Sequence, residues 1–319
     1  MQPLISVVMS VYNAEVYLEK AVESIINQTF KDFEFIIIED CSTDNTLQIL
    51  ENYASNDSRI RIIKKDQNKG NAGFIENLNI GLQNARAKYI ARMDADDIAD
   101  LTRFEKQYNF LENHPNIDIV GASIELITES DEHIETWTAI EKHDDIVKRM
   151  PKKISLYHPV IMFRKESTKG YRDKARFCED YDMYFNMILD GKKLANLSDV
   201  LLKYRILDTS VSRKKSKFER WLFVEKIRSF YQERITKRQD SYDNFDPEDF
   251  LKILESDYKN KLSDLLFALQ SSITFNTKKE TEILLKKIKS QYPSQSILKY
   301  QLADKLPSKI KKQLIKLIN

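Results

Sequence analysis

Three carboxylates, Asp94, Asp96 and Asp97, fall within four residues directly behind the apolar run Tyr89-Ile90-Ala91. Such a run reads as the end of a buried strand, so the acids must emerge together at a sheet edge. Like charges this close raise one another's pKa unless a cation or hydrogen-bond donors compensate. Hard oxygen donors with a gap between them suit a divalent ion, Mg²⁺ or Mn²⁺, bridging to phosphate. A solvated acidic turn capping the helix that begins near Leu101 would give the same spacing. Other strand-like runs also end on chemistry. Tyr12 can stack on a planar base, and an ionised Asp40, which only accepts hydrogen bonds, favours a base edge presenting N–H, such as uracil N3–H. Asp40 could equally cap the helix behind Ser42-Thr43-Asp44. Glu179 and Asp180 open a helix-like stretch to Leu189, where acids complement the helix dipole or serve as a general base.

Alternating elements must position these groups. Leu4–Ser10, Phe33–Glu39, Ile60–Lys64, Tyr89–Met93 and Ile117–Ala122 read as strands. Val16–Gln28, Asn45–Asn56, Phe74–Ala85 and Leu101–Asn113 carry apolar residues at helical spacing. This β-α-β-α order predicts a mostly parallel sheet covered on both faces. Ligands of such sheets bind at the carboxyl ends of the strands, where Tyr12, Asp40 and the Asp94 cluster converge.

The 319 residues suffice for a large domain with an appendage or for two domains. A net charge of +2 gives no case for nucleic acid. Cys41 and Cys178 have neither metal-ligand spacing nor a disulfide framework, which suits a reducing cytoplasm. No signal peptide is expected ahead of Leu4, and no run approaches the roughly 18 apolar residues of a membrane span. All six glycines lie at or before Gly191, so the Lys-, Leu- and Ile-rich remainder reads as four or five helices. The expected division is 1–212 and 213–319, with Arg213–Lys217 at the junction.

The motifs form a recognisable series. Ile5–Asn13, Ser24–Phe30, Phe35–Asp44, Asn71-Ala72-Gly73, Leu78–Leu82, Tyr89–Asp97 and Arg103–Gln107 come first, followed by His158–Lys165, Cys178–Asp182 and Tyr204-Arg205. Over about the first 210 residues the chain resembles family 2 inverting glycosyltransferases with the A-type, Rossmann-like nucleotide-sugar fold. The resemblance implies an α/β domain with a mostly parallel sheet flanked by helices, followed here by a C-terminal helical region. It implies that Tyr12 and Asp40 hold the base, with Ser10 or Val11 lending backbone contacts and Asn71 near the uracil. Asp94 and Ala95 would contact the donor, and Asp96, with Asp94, would hold Mn²⁺ or Mg²⁺ against the diphosphate. Asp97 would support the metal site or cap the next helix, and Arg92 would reach phosphate or pair with the acids. Asp180 would be the general base for a single displacement, with Glu179 orienting it or the acceptor.

The chain departs from the family pattern in two places. Asn77-Leu78-Asn79 replaces a common Ala-Arg-Asn, and Leu207 stands where a histidine is common, with Asp208, Ser210 and Ser212 nearby to compensate. His158, the one histidine inside a matching motif, is expected on a bounding strand, hydrogen-bonded to backbone, with an acceptor contact as the alternative. Ala303, Leu306, Ile310, Leu314, Leu317 and Ile318 share one helical sector opposite Lys305, Lys309, Lys312 and Lys316. Such a helix would either pack on the domain or meet an anionic membrane.

The resemblance implies an inverting, metal-dependent hexosyl- or N-acetylhexosaminyltransferase. It would move sugar from a UDP-linked donor to a glycan or lipid-linked oligosaccharide in cell-surface polysaccharide synthesis, in the cytoplasm or at the inner face of its membrane. Ser10–Glu15 is not the glycine-rich phosphate loop of a nucleotidyltransferase, and Gly-x-Gly-x-x-Gly of a dehydrogenase is missing. A non-catalytic glycan-binding protein on the same scaffold is the remaining alternative, disfavoured by the joint presence of Asp94, Asp96 and Asp180.

Overall fold

The computed structural model describes residues 2–207 and 217–307. Among them, nine strands join in one sheet of order β3-β2-β1-β4-β8-β6-β9-β5, with β7 paired to β6. The first half of that sheet is parallel. β1 (Ile5–Val11), β2 (Phe33–Glu39), β3 (Ile60–Lys64) and β4 (Tyr89–Asp94) alternate with α1 (Leu18–Ile26), α2 (Thr46–Asn56) and α3 (Gly70–Asn84). β2 is buried along its whole length and β1 nearly so. That is the pattern of strands covered on both faces, and it explains the Val- and Ile-rich runs.

Register fixes the functional edge. Ser10 of β1 pairs with Ile38 of β2 on one side and Asp94 of β4 on the other. Ser10 and Asp94 are therefore level, and Asp40 follows at the same edge, two residues beyond Ile38. Helix α3 lies close on this sheet at Gly81, where an added Cβ would stand 2.2 Å from Val8 Cγ1. The helix starts at Gly70 instead of Phe74, because Gly70, with φ of +59°, makes the turn that begins it.

The second half of the sheet is mixed. β5 (Ile98–Ala99) and α4 (Arg103–Asn113) lead into β6 (Ile119–Ile127), which forms a hairpin with β7 (His133–Trp137). After α5 (His143–Arg149), β8 (Met162–Arg164) runs antiparallel between β4 and β6. Helix α6 (Glu179–Leu189) precedes β9 (Leu194–Arg205), parallel to β6 with register shifts around Ser123. β5, β7, β8 and β9 go beyond the expected strands: they are too short, too exposed or too irregular to show a period.

By its contacts the chain divides into two units, Met1–Asp173 with Glu179–Ser210, and Lys174–Cys178 with Val211–Asn319. The segment 174–178, which the sequence places within 1–212, belongs to the second unit. There the Lys174 N–H donates to the Tyr242 hydroxyl at 2.6 Å, Arg176 pairs with Glu248 at 2.7 Å, and the Phe177 ring lies 5.4 Å from Phe223. The described helices of this unit are α7 (Lys217–Lys237), α8 (Pro247–Leu251), α9 (Leu262–Phe275), α10 (Lys278–Gln291) and α11 (Leu298–Asp304). Phe223, Phe230, Phe245 and Phe250 are their buried aromatic core. The amphipathic helix expected from Ala303 onward is not continuous from that residue, since α11 ends at Asp304 and a turn follows. Its remainder from 308, like Asp208, Ser210, Ser212 and 213–216, lies outside the described residues. Among the described residues no helix is long and apolar enough to cross a membrane.

Candidate functional site

The chain leaves β1 through Asn13, whose φ of +48° lies in the left-handed region that asparagine enters more readily than most residues. Asn13 Oδ1 accepts from the Thr43 N–H at 2.8 Å, and the Asn13 N–H donates to Ser42 Oγ at 3.1 Å. Glu15 accepts from the Asn45 backbone and side-chain nitrogens at 2.9 and 2.7 Å. The loops after β1 and β2 are thereby laced together. Tyr12 stands 47% exposed above them, free to present its ring.

Asp40 lies below, only 4% exposed, with its N–H bonded to the Val11 carbonyl at 2.9 Å. It does not cap α2; there Asp44 accepts the Thr46 N–H at 3.0 Å. Burial pushes the Asp40 carboxyl up, while Asn77 and Lys65, 3.8 Å away, pull it back. Asp40 Oδ1 has no hydrogen bond among the described residues. Asn77 also donates to Ser10 Oγ at 3.0 Å, tying Asp40 to the end of β1. Gly73 keeps the adjoining turn of α3 low: a Cβ there would come 3.5 Å from Asp40 Oδ2. Asn71 falls in the same first turn, and its side chain is outside the described set.

Asp94 closes β4, and its carboxylate, with those of Asp96 and Asp97, offers oxygens all within 4.8 Å of one another. Ala95 between them is buried. Arg92, two residues before Asp94 and so on the same strand face, pairs with it. Behind, the fully buried Arg103 donates to the Arg92 carbonyl at 2.7 Å and fixes the strand. Asp97 is fully buried and accepts the Arg205 N–H at 2.8 Å, while Arg205 Nε donates to the Asp96 carbonyl at 2.9 Å. Asp97 therefore anchors β9; the α4 cap position is Thr102. Burial, then Asp94, pushes Asp96 up to about 7, and burial, then Asp96, raises Asp97. An oxygen-only donor set with mutual repulsion, and with Asp97 Oδ2 buried without a hydrogen bond among the described residues, fits a divalent cation.

A second acidic pair begins α6. Asp180 Oδ1 accepts the Tyr181 N–H at 2.7 Å, and burial pushes the carboxyl up to about 6. Burial and the Asp180 charge push Glu179 up to about 8. Arg92 favours the ionised form of both, and Asp94 opposes it, so the two acid sets act on each other through space. The third acid of this turn, Asp182, is occupied by Arg172 at 2.8 Å.

Residues 6–172 match the family model "Glycosyl transferase family 2". The chain belongs to that family. An uncharacterized glycosyltransferase of Haemophilus influenzae is 38% identical over 216 residues, 64% of this chain and 66% of the relative. The O-antigen biosynthesis glycosyltransferase WbnJ of Escherichia coli is 34% identical over 218 residues, 66% of this chain and 82% of WbnJ. In fold the chain is similar to S. aureus TarS 1-349, crystallised in complex with UDP-GlcNAc, with a TM-score of 0.62 at 18% identity over 90% of this chain and 83% of that one. The A-type glycosyltransferase fold follows from this likeness.

Within this family 2 glycosyltransferase, the departures from the family pattern have structural counterparts. Leu78 is a buried core residue, and Asn79 clamps the Tyr171 backbone: it accepts the N–H at 2.9 Å and donates to the carbonyl at 2.8 Å. Leu207 is buried. His158 lies on a short 3-10 turn ahead of β8 and bonds the Tyr171 hydroxyl at 2.8 Å, in place of the strand and backbone partner expected. Sequence reasoning missed Tyr171, which follows Gly170 in an irregular segment without period.

Proposed function

We propose that this glycosyltransferase transfers a sugar, a hexose or N-acetylhexosamine, from a UDP-linked donor to a hydroxyl of a glycan or lipid-linked oligosaccharide, with inversion at C1. The observation that carries this reading is the pair of acid sets sharing one guanidinium. Asp94, Asp96 and Asp97 end β4, Glu179 and Asp180 begin α6, and the charge of Arg92 acts on both. Asp94 and Asp96 would hold Mn²⁺ or Mg²⁺, whose charge offsets that of the departing diphosphate. Asp40 and Tyr12 would hold the base, with Ser10 and Val11 beside it.

In the transfer, the acceptor oxygen forms its bond to C1 as the bond from C1 to the diphosphate oxygen breaks, and that electron pair leaves with UDP. The acceptor proton passes to Asp180. A carboxyl pushed up to about 6 is ionised at neutral pH yet more basic than an exposed aspartate. Glu179, pushed up to about 8, is the protonated neighbour that orients it. The similarity to an O-antigen enzyme supports surface polysaccharide as the product, and a lipid-linked acceptor would bring the protein to the inner face of the cell membrane.

The test is release of UDP from UDP-glucose, UDP-galactose and their N-acetyl forms with Mn²⁺ and a set of glycan and lipid-linked acceptors. NMR of the product should show the inverted anomer. Retained configuration would refute the single displacement, and no release from any donor would favour a glycan-binding role.

A further inference from the structure

Glu179 has a neighbour that the transfer described above does not use. His158 is 7% exposed, and its Nδ1 lies 3.8 Å from Glu179 Oε1. On the other side of the ring, Nε2 lies 2.8 Å from the Tyr171 hydroxyl, with the two rings edge-on at 5.5 Å and 63°. The segment bearing Tyr171 is held from both ends. Gly170 adopts φ of +96°, and a Cβ at that position would fall 2.7 Å from Asn79 Oδ1, so only glycine lets the loop meet the Asn79 clamp. Asn79 is two residues beyond Asn77, which ties Asp40 to Ser10. Helix α3 thus touches the base side with one asparagine and, through Tyr171 and His158, the acid pair with the other.

Two neutral groups meet at the 2.8 Å bond. Burial, then Arg92, holds His158 well below the usual imidazole range, and burial raises the Tyr171 phenol beyond any physiological titration. The phenol must donate its proton somewhere, since a buried hydroxyl left unpaired is destabilising. Among the described residues the hydrogen-bond partner of that hydroxyl is His158 Nε2. A histidine that accepts at Nε2 carries its single proton on Nδ1, the nitrogen that faces Glu179.

We infer that Tyr171 and His158 are positioning residues for Glu179: the Tyr171 hydroxyl donates to Nε2 and fixes the Nδ1–H tautomer, which presents a donor to Glu179 Oε1 and holds that carboxyl beside Asp180. The inference rests on the proposed transfer for its kinetic consequence and on the 2.8 Å contact between two buried, neutral groups for its tautomer. At 3.8 Å the contact with Glu179 is longer than a hydrogen bond, and the inference requires it to shorten when substrate is bound, as catalytic contacts that are long in the free enzyme do. Orientation of this kind lowers the barrier without contributing to donor affinity.

The experiment has two readouts on the intact protein. Long-range ¹H–¹⁵N NMR of the ring nitrogens, with His158 assigned by its loss in His158→Asn, reports the tautomer whether or not a substrate is known. The expected result is a neutral ring protonated on Nδ1, changing to a mixture in Tyr171→Phe, which keeps the aromatic volume. A proton on Nε2 in the wild type, or a tautomer unmoved by Tyr171→Phe, overturns the inference. With the donor found by the screen, Tyr171→Phe should lower kcat by roughly ten-fold or more while UDP affinity and donor KM stay unchanged. His158→Asn, whose amide N–H stands near the Nδ1 position, should retain more activity than His158→Ala. Unchanged kcat in Tyr171→Phe, or equal losses in kcat and UDP binding, also overturns it. A wild type that releases no UDP defeats the proposed transfer and leaves the tautomer to decide the geometry.

Discussion

The Arg205 N–H donates to the buried carboxylate of Asp97 at 2.8 Å across 108 residues of chain. The last residue of β9 is thereby fixed to the loop that carries the acid cluster. Burial raises both Asp97 and its neighbour Asp96, which is pushed up to about 7, but Asp97 has the Arg205 N–H as a partner for its carboxylate. Asp97→Ala should destabilise the protein by about 1–3 kcal/mol, the cost of an unpaired buried N–H. Asp96→Ala should leave the Tm in chelator equal or higher while abolishing metal-dependent turnover. Thermal melts and UDP release on the same samples check both.

Asp40→Asn should weaken UDP binding by roughly ten- to a hundred-fold, the effect of losing a hydrogen bond to a charged group. The metal dependence should remain, since Asp40 is no part of the cluster. Calorimetry with UDP reads the affinity directly, and an unchanged Kd would remove Asp40 from the base site.

Transfer should rise about ten-fold per pH unit below about 6 and level off above it, because Asp180 must be ionised to take the proton. Asp180→Asn should lose a factor of roughly 10² and the slope with it. Steady-state rates between pH 5 and 8 are the check, and a flat wild-type profile would contradict the assignment.

Stability should run the other way for Glu179. A carboxyl raised to about 8 in the folded protein binds more protons there than in the unfolded chain. Its contribution is fully present below about 4.5, the unfolded value, and is lost as pH rises through the folded one. Denaturant melts of Glu179→Gln should lack this part of the pH slope.

Gly81→Ala should cost about 1–3 kcal/mol, since the new methyl would overlap Val8. Pairing it with Val8→Ala should recover most of the loss. Chemical denaturation of the two single variants and the double variant measures the coupling.

The parallel half of the sheet is legible in the sequence because each strand is a short apolar run between amphipathic stretches. Phe33–Glu39 and Ile60–Lys64 have the expected bounds for this reason. β8 and β5 are recognisable only by their partners: three residues pairing with Tyr89–Ala91, and two pairing with Leu202 and Lys203. The same split runs through the site. Asp94, Asp96 and Asp97 are adjacent in the chain, so their convergence follows from one strand end. The bond from Arg205 to Asp97 and the clamp of Asn79 on Tyr171 span 108 and 92 residues and have no local signature.

The five residues 174–178 count with the C-terminal helices, although they interrupt the first unit between Asp173 and Glu179. The chain therefore enters the second unit at 174, returns to the first at 179 and re-enters the second at 211. A gene cut near 212 would produce a first half that still carries 174–178 but has lost Tyr242, Glu248 and Phe223, the groups that hold them. Glu179 is the very next residue. The helical region is thus not a tail that could be exchanged between relatives by simple fusion, for any graft must replace a strip of the host's own chain immediately ahead of the acid pair.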